Sequence, residues 1–140
     1  QKDSLTVRNP SAIRPWQHVL EPVSGYLLLA QKLSQLDGGQ FTGSWNFGPT
    51  GDAVSVQTVL NKLTQMAGSA PFVNYSRSNT DEAMSLMLDS AKARNYLGWR
   101  PKLSLDATLQ LTLDWFQASK CKKNMMSHTL SEIEKYEKYV

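Results

Sequence analysis

Short extended runs interleaved with amphipathic helices predict an α/β fold, mostly helical with a few short strands. Three observations carry that prediction. Runs of extended character stand at SLTVR (4–8), Ser44–Phe47 and Pro71–Tyr75, and helical periodicity fills the stretches between them. Gly and Pro clusters such as Asp37-Gly38-Gly39 and Gly48-Pro49 punctuate the boundaries. Hydrophobic residues make up 41% and charged residues 19% of 140, the balance of a chain that buries a real core.

The first strand ends at Asn9-Pro10, because a residue before proline avoids the helical region. A helix follows over 19–36, with Pro22 in its first turn and Val19, Val23, Tyr26, Leu27, Ala30 and Leu33 on a broad apolar face. Asp37-Gly38-Gly39 stops it. After the strand at 44–47 and its turn, Ser55 caps a helix over 56–67 whose Val56, Val59, Leu60, Leu63 and Met66 keep the three-four spacing, and Gly68 closes it. A polar loop spans 76–82, and MSLML (84–88) is extended. Asp89 caps a short helix that ends at Leu97-Gly98. Ser104 caps a helix over 105–118, and Thr129 with Glu132 reads as a capping box for the last one. The helices at 19–36 and 105–118 are apolar on more than one side, as helices between two layers are. The chain opens at Gln1, and we expect one region, 1–140, of a longer protein.

Composition narrows the function classes. Net charge is +3, with Lys120, Lys122, Lys123, Lys135 and Lys138 late in the chain, which is a solvated tail rather than a nucleic-acid stripe. No run of 18 apolar residues and no leader-like apolar segment is present, so we expect a cytoplasmic protein without membrane partners. Cys121 is the single cysteine and His18 and His128 the only histidines, which argues against a metal centre. No nucleophile elbow, P-loop or H-E-x-x-H pair occurs, and no residue is assigned a catalytic role. GGQFTG (38–43) follows a helix, the wrong context for a dinucleotide loop, and reads as a turn.

One constellation remains, RNPSAIRPWQHVLEP at 8–22. Arg14 offers a planar fork suited to a phosphate or diphosphate, Pro15 stiffens the backbone, and Trp16 offers a flat face for a base or sugar. Equally, Arg14 can pair with a carboxylate and Trp16 can be core. His18, at a helix start, reads as a hydrogen-bonded structural residue. In the polar loop Arg77 is a second possible anion ligand, and Asp81 and Glu82 are candidates for sugar hydroxyls or simply face water.

VRNPSAIRPWQHVLEPVSGYLLLAQKL, GSWNFGP and LDSAKARNYLGWRPKLSL, with a following helix ending DWF, resemble the C-terminal part of the CDP-glucose 4,6-dehydratases. These belong to the NAD-dependent epimerase/dehydratase family of extended short-chain dehydrogenases/reductases. The resemblance implies a C-terminal substrate-binding lobe lacking most of the Rossmann domain. It implies a parent lyase that converts CDP-glucose to CDP-4-keto-6-deoxy-glucose in deoxysugar and O-antigen biosynthesis. NAD would then be held by the N-terminal half rather than by this chain, which has no Tyr-x-x-x-Lys. The family pattern assigns substrate binding to Arg14 (diphosphate), to Trp16, and to the loop carrying Arg77 and Glu82. That loop reads NTDEAMS where the family has H-x-H-E-A-H-Y, so only Glu82-Ala83 is kept. The implied partners are CDP-glucose or a related nucleotide sugar, and the missing Rossmann half or a second copy of the chain.

Overall fold

A computed structural model describes residues 4–51, 54–68, 72–75 and 83–139. The chain divides into two compact units, one built from 1–15 and 52–87, the other from 16–51 and 88–140.

In the first unit, β1 (Ser4–Val7) pairs in parallel with β4 (Phe72–Tyr75), Leu5 opposite Val73 and Val7 opposite Tyr75. β2 (Ile13–Arg14) runs antiparallel to β3 (Val54–Ser55). The latter leads into α2 (Val56–Ala67), where Ser55 accepts the Thr58 N–H and Gly68 closes the helix at φ +66°. Both capping residues are those the sequence marks, because an N-terminal turn needs a side-chain acceptor and the left-handed exit tolerates glycine.

The second unit is helical. α1 (Leu20–Leu33) is followed by a 3₁₀ turn, Gly38–Phe41. A π-helical turn, Ala93–Leu97, exits through Gly98 at φ +69°. α3 (Leu105–Lys120), capped by Ser104, and α4 (Met125–Lys138) complete the unit. Its core is Phe47, Ala93, Leu97 and Trp99. Phe47 meets Tyr26 and Trp99 edge-on, at centroid distances of 5.4 and 5.1 Å, the arrangement that sets a positive ring edge on a negative face. α1 passes close over Phe47 because residue 25 has no side chain: a Cβ there would lie 2.2 Å from Phe47 Cδ1.

Two expectations are corrected. Residues 44–47 form no strand. Their polar groups are bonded outside any ladder, the Phe47 carbonyl to the Gln17 amide at 2.8 Å and the Gly48 N–H to Ser90 Oγ at 2.7 Å. The last helix starts before the Thr129–Glu132 pair. Asn124 caps it by accepting the Ser127 N–H at 3.2 Å, which leaves Thr129 and Glu132 inside the helix facing other partners.

Candidate functional site

Arg14 is held by the backbone on either side of it. The segment 10–14 lies between α2 and the extended run at 84–86. On one side Val56 and Gln57 donate to the Ala12 and Pro10 carbonyls at 3.0 and 2.8 Å; on the other Ile13 donates to the Met84 carbonyl at 2.8 Å and accepts from Leu86 at 3.1 Å. Ala12 is buried, since a small residue is needed where the segment is gripped from both flanks. The Arg14 side chain is half-buried, and Nη1 donates to the Ile13 carbonyl at 2.7 Å and to the Ala83 carbonyl at 3.0 Å. These two carbonyls on Nη1 restrict rotation of the guanidinium and help set its plane.

Trp16 opens the second unit and is half-buried. Two residues on, His18 is buried and fixed in one tautomer. Its Nδ1 accepts the Leu20 N–H at 3.3 Å while its carbonyl accepts the Glu21 N–H at 3.0 Å. Burial pushes the imidazole below its ordinary 6.5, partly opposed by the charge of Glu21. His18 is therefore a helix-start residue, in the structural role its position suggests. Arg77 and Glu82 lie outside the described residues.

Sequence reasoning missed Glu21, the most buried large polar side chain of the second unit at 1% exposure. Its Oε1 accepts the backbone N–H groups of Lys102 and Leu103 at 2.8 and 2.7 Å, and Oε2 accepts the Tyr136 hydroxyl at 2.8 Å. One carboxylate thus joins α1, the connector before α3, and α4. Ser24, one turn on, accepts from Trp99 Nε1 at 3.0 Å and donates to the Glu21 carbonyl at 2.7 Å. With three donors on its two oxygens, Glu21 fixes the start of α1, immediately after RPWQHV. The available signal was an acidic residue in register with Gly25 and Leu28, on the inner face of an apolar helix.

Among the described residues no cluster of His, Cys, Asp and Glu is arranged to hold a metal, and no helix is long and apolar enough to cross a membrane. The glycine-rich stretch 38–43 forms its 3₁₀ turn directly after α1. It lacks the strand-to-helix setting in which backbone N–H groups cradle a dinucleotide, so these residues do not fit an NAD site.

Arg14, held by backbone carbonyls, thus belongs to the first unit, and Trp16 and His18 begin the second. No family model matches the chain. Among solved structures, MoeE5 in complex with UDP-glucuronic acid and NAD superimposes with a TM-score of 0.71 at 25% identity, covering 84% of this chain and 38% of that one. UDP-glucose-4-epimerase from Stenotrophomonas maltophila, with bound NAD and formylated UDP-arabinopyranose, gives 0.72 at 20% identity over 85% of this chain and 36% of that one, a likeness of fold. The chain matches the C-terminal portion of extended short-chain dehydrogenases/reductases of the NAD-dependent epimerase/dehydratase family. Within that class, it is 39% identical over 134 residues to CDP-glucose 4,6-dehydratase of Salmonella typhimurium, covering 94% of this chain and 37% of that protein. UDP-glucose 4-epimerase of Rhizobium meliloti is 26% identical over 77% of this chain and 32% of its own length. The chain spans about a third of the length of the curated relatives it matches.

Proposed function

We propose that this chain is the nucleotide-sugar-holding part of a CDP-glucose 4,6-dehydratase-like enzyme. The carrying observation is the 39% identity to such a dehydratase over 94% of the chain. In this reading Arg14 binds the diphosphate through its fork, Trp16 lies against the nucleotide or sugar, and Arg77 and Glu82 close over the ligand. NAD and the groups that abstract protons belong to the part of the enzyme that precedes this region, so the chain by itself holds substrate without converting it. The anchored guanidinium supports the role of Arg14, because a rigid planar donor suits a diphosphate better than a free side chain does. Calorimetric titration with CDP-glucose and with CDP tests this. Saturable binding is expected, weakened by about 1.5–3 kcal/mol in Arg14→Ala, the scale of a lost charged hydrogen bond. Equal competition by CDP, UDP and dTDP would move the ligand to the wider nucleotide-sugar group.

A second reading, a non-catalytic binding or assembly module, is favoured by one observation. α1 leaves Val23, Tyr26, Leu27 and Leu33 exposed, with Leu27 at 67%. In the proposed enzyme this face meets the remaining Rossmann part; without that part it meets a second copy. Absence of CDP-glucose binding together with a stable oligomer selects this reading.

A further inference from the structure

Residues 15–18 belong to neither strand nor helix, so no ladder and no helical turn sets the backbone at Trp16. A flat aromatic face serves a ligand best when the backbone that carries it is already still, since ordering it on binding costs affinity. Pro15 fixes its own φ on one side of Trp16. On the other side, His18 is locked by its bonds to the start of α1. Gln17, between Trp16 and His18, supplies the remaining constraint.

Gln17 is half-buried, and its side chain crosses to a segment 30 residues away, where Nε2 donates to the Phe47 carbonyl at 2.8 Å. That carbonyl is a fixed post. The Phe47 ring is buried edge-on against Tyr26 and Trp99. Next to it the Gly48 N–H donates to Oγ of the fully buried Ser90 at 2.7 Å. Gly48 is also packed too closely to move, since a Cβ there would lie 2.6 Å from Leu88 Cβ. The Gln17 amide can face this post in one sense only, because a flip would set oxygen against oxygen. Among the described residues its Oε1 is buried and has no hydrogen-bond partner. A buried unpaired acceptor costs stability, whereas methionine, of similar length, would fill the space without one. Filling space therefore does not account for an amide at position 17; tethering the chain to Phe47 does.

We propose that Gln17 is a positioning residue for Trp16, its bond to the Phe47 carbonyl setting the backbone that presents the indole to the nucleotide sugar. This rests on the reading above, in which Trp16 lies against the nucleotide or sugar. In this role Gln17 need not touch the ligand: it acts through the backbone it shares with Trp16. Loss of the bond therefore lowers only the share of affinity that Trp16 supplies.

The test titrates CDP-glucose into the wild-type chain, Gln17→Met, Trp16→Ala and the double variant. Gln17→Met removes the donor and the unpaired oxygen together. It is expected to weaken binding about three- to tenfold, the scale of one neutral hydrogen bond, with the thermal midpoint within about 4 °C of the wild type. In the Trp16→Ala background the same change is expected to have no effect. Gln17→Glu, which sets a carboxylate against the Phe47 carbonyl at neutral pH, is the second variant should Gln17→Met fail to fold, with at least the same loss expected. A ligand-free readout accompanies these: with 5-fluorotryptophan incorporated, the Trp16 resonance, assigned through Trp16→Phe, is expected to move toward the position of the free amino acid in Gln17→Met. Wild-type affinity in Gln17→Met, an equal loss in both backgrounds, or an unmoved Trp16 resonance overturns the proposal. Should Trp16→Ala bind too weakly to titrate, the resonance decides. If the wild-type chain does not bind CDP-glucose, the nucleotide-sugar reading falls and this proposal with it. Wild-type binding without coupling between positions 16 and 17 removes this proposal alone.

Discussion

The Tyr136 hydroxyl donates to Glu21 Oε2 at 2.8 Å across 115 residues of chain, tying the last helix to the first. The opposite oxygen of the same carboxylate takes two backbone N–H groups, those of Lys102 and Leu103. Removing the carboxylate therefore strands the two backbone donors and leaves the Tyr136 hydroxyl only Ser24 Oγ, 3.0 Å away. Glu21→Ala is expected to lose about 2–5 kcal/mol, since each buried donor left unsatisfied costs about 1–3 kcal/mol. Tyr136→Phe deletes one donor and leaves the two backbone bonds, so about 1–2 kcal/mol is expected. Urea unfolding of both variants and of the double variant checks the pair. Additive losses would show that the two side chains act separately.

Tyr136 also predicts an alkaline limit. Burial, with Glu21 adding to it and Ser24 opposing it, pushes the phenol from 10.0 up to about 12. The folded state thus holds this proton more tightly than the unfolded state does. The contribution is complete below pH 10, and it is lost as pH rises through about 12. Absorbance titration of the phenolates is expected to show one late component that disappears in Tyr136→Phe. An unchanged titration curve would place Tyr136 in open solvent.

His18 predicts an acid limit of opposite origin. Its folded-state pKa lies below the ordinary 6.5, so the unfolded chain takes up the proton first and stability falls as pH drops below that value. Glu132 works the other way: its raised carboxyl favours the folded state at low pH. His18→Asn retains an acceptor near the Nδ1 position and isolates the effect. The wild type is expected to lose more stability than this variant between pH 7 and pH 5, read as urea midpoints. Titration of the His18 ring at or above 6.5 by NMR would contradict it.

Helices with local signals were legible in the sequence, and contacts that depend on distant partners were not. Ser55, Gly68, Ser104 and Gly98 cap or close helices where their chemistry places them, because a cap is satisfied within four residues. The Thr129–Glu132 pair carried the same local pattern. Asn124 supplied an acceptor earlier, and Trp115 Nε1 took up Thr129 Oγ1 instead. Ser44–Phe47 had extended character, yet a strand exists only if a neighbour forms its ladder. Within the site, Arg14 and Trp16 stand out by residue type and spacing. Glu21 does not, because its partners lie 81, 82 and 115 positions away and an acid in a helix's first turn is ordinary.

Gly25 shows how two opposed effects can be ranked. Alanine in a helix interior gains about 0.5–1 kcal/mol over glycine. Against that, a Cβ at residue 25 would sit 2.2 Å from Phe47 Cδ1 and 2.5 Å from Cε1. The ring is held edge-on between Tyr26 and Trp99 and cannot swing aside without breaking both contacts. Overpacking costs about 1–3 kcal/mol, so it outweighs the helix gain and Gly25→Ala is expected to be destabilising. Thermal unfolding checks the sign.

The exposed row on α1 yields the last prediction. Glu21, Gly25, Leu28 and Leu29 turn inward, while Val23 and Leu27, four residues apart, share the outer face with Ala30. Leu27 is 67% exposed, so Leu27→Glu is expected to leave unfolding within about 0.5 kcal/mol of the wild type. If the face is an interface, the same change breaks it, since an unpaired carboxylate would be buried on assembly. Sedimentation is then expected to show self-association in the wild-type chain and a monomer in Leu27→Glu, at equal stability of the monomer fold. A wild-type chain that stays monomeric at high concentration would remove the second copy as occupant of this face.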